Sequence, residues 1–336
     1  MNILRNVDLS AANTLRLPCQ AERFASPTTL TALRRTLAKA HHEGWPVTLL
    51  GGGSNVLLPE RLPGLVVRPD LQQCWFSQRQ GHVFAHVGAG VNWHALVMTT
   101  AARGLWGIEN LALIPGSCGA APVQNIGAYG VELADAMQAV QVMELATGRV
   151  DWLDVQQCAF GYRESIFKSE LAGSVVITQL VLRLSRTPAP QLGYGDLAKR
   201  LTGSPTPFAV AEAVCAIRRE KLPDPQVLAN AGSFFKNPLV AGAQAAQLLQ
   251  QFPAMPHFPQ EGGQTKLAAG WLIDQCGLKG MRDGAFGVHQ HQALVLVHFG
   301  GGDRQGLMKT ANYIADLVEA RFGVRLEPEP RLVNPY

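Results

Sequence analysis

Four side chains stand where their type and neighbours could support chemistry. Ser233 follows Gly232 and precedes two rings in Ala231-Gly232-Ser233-Phe234-Phe235-Lys236-Asn237-Pro238. A hydroxyl so placed can be oriented by nearby donors and shielded from water, as a proton donor requires. The frame is not the G-x-S-x-G of a hydrolase elbow, because Phe235 occupies the second glycine position. A plain turn serine fits the same residues. Arg163, beside Tyr162, offers the planar fork of donors that suits a carboxylate or phosphate, or simply a surface ion pair. Glu329 is held between Pro328 and Pro330 in a rigid extended segment, although a lone glutamate is usually solvated. Lys221 follows Arg218 and Arg219 at a helix end, where complementing the helix dipole is its least demanding role.

Two loops of small residues could position such groups. The first, Gly51-Gly52-Gly53-Ser54-Asn55, follows the apolar run Val47-Thr48-Leu49-Leu50. Backbone N–H groups with so little side-chain cover can form an anion nest, and an ordinary glycine turn is the alternative. The second is Ile114-Pro115-Gly116-Ser117-Cys118-Gly119-Ala120-Ala121-Pro122-Val123-Gln124-Asn125-Ile126-Gly127-Ala128-Tyr129-Gly130. No amphipathic helix or alternating strand can be drawn through it, which leaves a buried crossover or a cofactor cradle. Neither loop is a P-loop, for G-x-x-x-x-G-K-[ST] is absent. Gly88-Ala89-Gly90-Val91-Asn92-Trp93 begins like a dinucleotide fingerprint but puts tryptophan at the third glycine.

The bulk properties narrow the field. The chain has 336 residues, 47% of them hydrophobic and 16% charged, enough for two or three packed units. Its formal charge of +4 includes no run of lysine or arginine, so a nucleic-acid footprint is not indicated. A few cations gathered in one cleft toward a phosphorylated substrate fit the same total. The six cysteines are scattered, with no C-x-x-C pair and no zinc-ligand spacing, as in a reduced cytosolic protein without a metal. The N-terminus lacks a signal peptide, and no stretch approaches the ~18 apolar residues of a membrane helix. The expectation is a cytoplasmic protein with no membrane partner.

The surrounding elements read as mixed α and β. Ser26-Pro27 is expected to open a helix whose apolar stripe is Leu30, Leu33, Leu37 and Ala40, closed by Gly44. Strands are expected at 47–50, 56–58, 83–87, 139–145 and 175–178, with Thr147-Gly148 turning a hairpin. A helix fills 92–103. Pro188, Pro190, Pro205 and Pro207 mark a domain boundary. Beyond it come helices at 208–219, 240–251, 266–276 and 307–322, a strand at 293–297 and an extended segment at 326–330.

The order of these motifs resembles the UDP-N-acetylenolpyruvoylglucosamine reductase family over nearly the whole chain, from Asn13-Thr14 to Glu329. The resemblance rests on both glycine loops, Gly161-Tyr162-Arg163, Lys221-Leu222-Pro223-Asp224-Pro225, the Ser233 segment, Ala268-Ala269-Gly270-Trp271-Leu272-Ile273 and Leu326-Glu327-Pro328-Glu329. It implies an α+β fold with a two-lobed FAD-binding domain of the vanillyl-alcohol-oxidase (PCMH) type and an α+β substrate-binding domain. The lobes would cover 1–70 and 71–190 and the substrate domain 200–322, with 323–336 returning to the active site. A monomer would bind FAD, take hydride from NADPH and reduce a UDP-sugar enolpyruvyl ether to UDP-N-acetylmuramate, in peptidoglycan precursor synthesis. A flavin oxidase of the same fold, or a non-catalytic nucleotide-sugar binder, are the competing readings.

By the same resemblance Arg163, Ser233 and Glu329 are catalytic. Ser233 protonates C2, while Arg163 and Glu329 hold and polarise the carboxylate. Gly51, Gly52, Gly53, Ser54, Asn55, Pro115, Gly116, Ser117, Gly119, Ala120, Ala121, Asn125, Ile126, Gly127, Ala128 and Arg218 match cofactor-binding positions. Tyr129, Tyr162, Tyr194, Lys221, Asn237 and Gln292 match substrate-binding positions, with Tyr194 on the loop that closes over substrate in the larger (type I) members. Two departures stand out. Leu15 replaces a frequent phenylalanine. Ala120-Ala121 replace serines, so the grip on FAD there is expected to come from backbone donors.

Overall fold

Leu62, Leu65, Val66 and Val67 form a nearly unbroken apolar run because their strand is buried on both faces. In the computed structural model, which describes residues 2–334, that strand (Arg61–Val67) lies parallel to Gln20–Ala25 on one side and to Val47–Leu49 on the other. Leu4–Asp8 completes the four-stranded sheet, antiparallel to Gln20–Ala25. Leu65 and Val67 face the helix Leu30–His42, while Leu62 and Val66 face a second small core with Leu9 and Leu58. Met1 and residues 335–336, the outer edges of the first lobe and last segment expected above, lie outside the described residues.

The helix begins later than Ser26-Pro27 suggested. Thr29 is its N-cap, accepting from the Ala32 N–H at 3.1 Å, whereas the Ser26 hydroxyl is spent on the Arg68 carbonyl.

The second lobe is a five-stranded antiparallel sheet in the order Val150–Asp154, Met137–Glu144, Val175–Leu184, His82–Gly88, Cys74–Arg79. Its apolar face is covered by Trp93–Ala102 and by Pro207–Lys221. The second of these helices was expected in the substrate domain. Its buried face (Val210, Ala211, Val214, Cys215, Ile217) instead joins the core of this lobe.

The third unit holds a four-stranded sheet (Ala229–Ser233, Val295–His298, Phe286–Val288, Arg282–Asp283) and a three-stranded one (Leu239–Ala241, Gln264–Leu267, His257–Pro259). The helices Gly242–Gln251, Ala269–Gln275 and Arg304–Phe322 pack on them. Lys266 was expected to start a helix, but it lies mid-strand, paired with both Leu239 and Phe258. Leu15 contributes to this third core although it belongs to the first lobe, and its carbonyl accepts from the buried His298 ring at 2.8 Å. Among the described residues, no helix is long and apolar enough to cross a membrane.

The last segment ties the units together. The Lys236 N–H donates to the Glu327 carbonyl at 2.9 Å, and the Glu329 N–H to the Phe234 carbonyl at 2.8 Å. Two residues on, Arg331–Leu332 pairs in parallel with Val56–Leu57 of the first lobe. Glu329 is therefore carried on a strap hydrogen-bonded to the third unit before and at Glu329 and to the first lobe just after it.

Candidate active site

Between the two lobes and this strap lies a cleft of about 710 Å³. Both glycine loops line it, with Phe167, Lys168, Val175, Lys236 and the segment 328–334. The loops meet backbone to backbone. A Cβ on Gly52 would lie 2.8 Å from the Gly116 Cα, and one on Gly51 2.9 Å from the Ala120 Cβ. Ser54 locks the contact by donating its hydroxyl to the Pro115 carbonyl at 3.0 Å. The N–H groups of residues 51–55 donate to no protein acceptor among the described residues. A narrow wall of free backbone donors beside an apolar slot suits a dinucleotide, with its pyrophosphate at the donors. The residues present thus fit FAD.

Gly52→Ala is expected to push the loops apart and lower the bound flavin per chain, read from visible absorbance. Gly44→Ala serves as the control: Gly44 has a positive φ (66°), unlike Gly52, but its Cβ would meet open space. That change costs only the left-handed strain of about 1–2 kcal/mol and keeps the flavin. Equal flavin loss in both variants would remove the packing argument.

Several expected cofactor residues do something else. The Gly119 N–H donates to the Ala89 carbonyl at 2.9 Å, and the Ala120 N–H to the Ser117 carbonyl at 3.0 Å. Both residues line the cleft, but the backbone grip expected at Ala120 is corrected: that donor closes a turn. Asn125 is buried in a left-handed conformation (φ 43°) and does not line the cleft. Its amide donates to Glu132 Oε2 (2.7 Å) and the Gly161 carbonyl (3.1 Å) and accepts from the Ala134 N–H (3.0 Å). Gly127 and Ala128 are also outside the cleft, and the Gly127 carbonyl accepts from Arg163 at 3.0 Å. Arg218 does not line it either. Its shielded Nε has no hydrogen-bond partner, and its electrostatic neighbours are Tyr129 and Cys215.

At the strap end of the cleft Arg163 and Glu329 meet. Arg163 Nε lies 3.1 Å from Glu329 Oε1, with side chains 17% and 13% exposed, so the pair is largely shielded from water. Arg163 sits in a tight turn with φ 58°, closed by mutual hydrogen bonds between Gly161 and Glu164. Its Nη2 bond to the Gly127 carbonyl uses the second prong of the fork. Burial pushes the Glu329 carboxyl above its ordinary value, and Arg163 pulls against that rise. Tyr162 is pushed up likewise by burial, and its phenol neighbours Asn237.

Ser233 ends its strand at a register shift. Asn230 pairs with Val297, but Ser233 pairs with Val295, leaving one extra residue on the Ser233 strand. Gly232 supplies the positive φ of 70° that the bulge needs, and its N–H donates to Asn230 Oδ1 at 2.8 Å. Such a bulge re-aims the side chains that follow it. The adjoining Phe234 carbonyl is the one that accepts from Glu329, so Ser233 and Glu329 lie on directly connected backbones.

The other expected residues form two groups. Tyr129 and Tyr194 meet edge to face at 5.8 Å, and Asp196 near Tyr194 feels the charge of the exposed Lys221. Asn237 Oδ1 accepts from the Ala269 N–H at 3.0 Å, and Gln292 lies over the neighbouring Gly270. Sequence reasoning missed Lys266, whose ammonium stands 4.5 Å from the centre of the Tyr162 ring, with Arg163 at 5.3 Å from it. Burial lowers the Lys266 ammonium below its ordinary value. The available signal was Gln264-Thr265-Lys266-Leu267, which alternates like a strand.

Comparison with known proteins bears on this geometry. Residues 224–333 match the family model for the UDP-N-acetylenolpyruvoylglucosamine reductase C-terminal domain, and residues 21–154 match an FAD binding domain. The UDP-N-acetylenolpyruvoylglucosamine reductase of Chromobacterium violaceum is 46% identical over 334 residues, covering 98% of each chain. That of Cupriavidus pinatubonensis is 52% identical over 289 residues, 85% of this chain and 86% of its own. The crystal structure of the Thermus caldophilus reductase superposes with a TM-score of 0.70 at 25% identity, over 99% of this chain and 100% of that one.

Proposed function

The chain belongs to the UDP-N-acetylenolpyruvoylglucosamine reductase family, and from that premise we propose that it reduces a UDP-N-acetylglucosamine enolpyruvyl ether to UDP-N-acetylmuramate with Arg163, Ser233 and Glu329 at the reacting group. Bound FAD supplies hydride-transfer chemistry between NADPH and the enolpyruvyl carbons. The observation that carries the assignment of roles is the shielded Arg163–Glu329 pair at the strap end of the cleft.

Addition of hydride at C3 leaves negative charge at C2 and on the adjoining carboxylate. Arg163 is the fixed cation for that charge, preorganised by Glu329 and the Gly127 carbonyl. An ionised Glu329 would repel a substrate carboxylate. Burial shifts Glu329 toward the neutral acid, the form able to donate a hydrogen bond to that carboxylate, while Arg163 opposes the shift. Ser233, re-aimed by its bulge, delivers the proton to C2. Tyr129, Tyr194 and Lys221 hold the UDP portion, while Tyr162, Asn237 and Gln292 hold the sugar side. Arg218, standing by Tyr129, acts on the substrate side and not on the cofactor.

The lobes are 1–70 and 71–190, with the helix Pro207–Lys221 added to the second because it shares that core. We take it to act as a monomer in the cytoplasm, a reducing compartment in keeping with its six free cysteines. The test is anaerobic: reduce the flavin with NADPH, add the enolpyruvyl substrate and follow flavin absorbance. Reoxidation is expected at once, and a flavin that stays reduced would sink the proposal.

A further inference from the structure

We propose that Asn110 is a positioning residue that holds Tyr194 over the substrate, an inference that rests on the reading of Tyr194 as the cover of a nucleoside-diphosphate sugar. Asn110 is wholly buried, 0% exposed, on the short turn Glu109–Leu111. A polar side chain this deep must be hydrogen-bonded or costs free energy. Its Nδ2 donates to the Tyr129 carbonyl at 2.9 Å and to the Gln191 carbonyl at 2.8 Å. Both partners are acceptors, so the amide nitrogen must face them. Its Oδ1 has no partner, which leaves those two bonds as the reason for an amide at this position.

Each bond holds one half of an aromatic clasp. Tyr129 keeps a left-handed backbone (φ 50°), a strained state for a residue with a Cβ, and its ring meets that of Tyr194 edge to face at 5.8 Å. Gln191 lies three residues before Tyr194 in sequence. Among the described residues, Asn110 supplies the hydrogen bond that fastens the stretch 188–193 to the body of the protein. Tyr194 is itself 51% exposed, so its own packing contributes little restraint. One buried amide therefore ties the backbones of both halves to a single point.

The test combines Asn110→Ser, Asn110→Asp and Tyr194→Ala. Asn110→Ser is expected to raise KM for the UDP-sugar about tenfold, the scale of one to two lost hydrogen bonds. NADPH-driven flavin reduction is expected to stay unchanged. The double variant Asn110→Ser/Tyr194→Ala should raise KM by clearly less than the two single effects combined, because the part of the Asn110 effect exerted through Tyr194 is already lost. Asn110→Asp, isosteric, sets a carboxylate against two carbonyl oxygens. Its KM should rise further and recover as the pH falls and the acid regains a donor. Additive KM effects in the double variant would overturn the proposal, and so would failure of both Asn110 variants to fold. A wild-type KM in Tyr194→Ala would instead overturn the reading of Tyr194 as a substrate cover.

Discussion

Ser233→Ala is expected to reduce the flavin with NADPH at the wild-type rate and to lose about 10²–10⁴-fold in turnover, the range associated with a positioned proton donor. The two half-reactions separate because only the second ends in a carbon that needs a proton. Nothing in the change disturbs the bulge, which depends on Gly232 at φ 70° and on the Asn230 side chain. Ser233→Cys should recover part of the activity, since a thiol is also a donor. Stopped-flow absorbance of each half-reaction checks the split. If flavin reduction fell in step with turnover, Ser233 would have a structural role and the proton would come from elsewhere.

The second large effect concerns Arg163. Arg163→Leu leaves the Glu329 carboxyl shielded and without its cation, which costs about 3–5 kcal/mol if the acid stays ionised. In the proposed role it also removes the charge opposite the reacting carboxylate, so kcat is expected to fall about 10²–10³-fold. The stability effect has a defined pH dependence. Burial raises the folded-state Glu329 pKa above its unfolded value, so the native state binds the proton more tightly. The stability gained this way is fully present below the ordinary carboxylate range and is lost as pH rises through the raised value. Without Arg163 the folded value rises further, and the loss extends to higher pH. Thermal melts should therefore show Arg163→Leu approaching wild type in acid and falling behind toward neutrality. Adding Glu329→Gln should abolish that slope. A slope that persisted in the double variant would place the titrating group elsewhere.

Much of the fold was readable because local signals agreed with tertiary demand. Asn92 caps its helix as its type suggests, accepting from the Ala95 N–H at 2.9 Å, and Gly323 ends the last helix in the left-handed region with φ 63°. Misreadings arose where a distant partner decided. The Ser26 hydroxyl goes to the Arg68 carbonyl, 42 positions away, so the cap passed to Thr29. The helix Pro207–Lys221 follows a proline-rich boundary, yet its stripe fits the core of the lobe before it. At the site, Arg163 and Glu329 were identifiable by family pattern, but their 3.1 Å contact spans 166 positions and is a property of the assembled strap. Asn125 and Gly127 belong to the motif without touching the cleft, for a family pattern also includes the residues that brace a site.

Pro328 and Pro330 give the strap a further property. Its donors alternate: the N–H groups of Glu329, Arg331 and Val333 all find protein carbonyls. The prolines occupy the intervening positions, and in an extended chain those N–H groups would point to the opposite edge. That edge therefore carries no donors across the Glu329 region. Strand addition needs a ladder of donors and acceptors, so this segment cannot template an incoming strand even when thermal fluctuation opens the cleft. Replacing both prolines by alanine would create a two-edged strand beside an apolar slot, the setting in which one chain captures the strand of another.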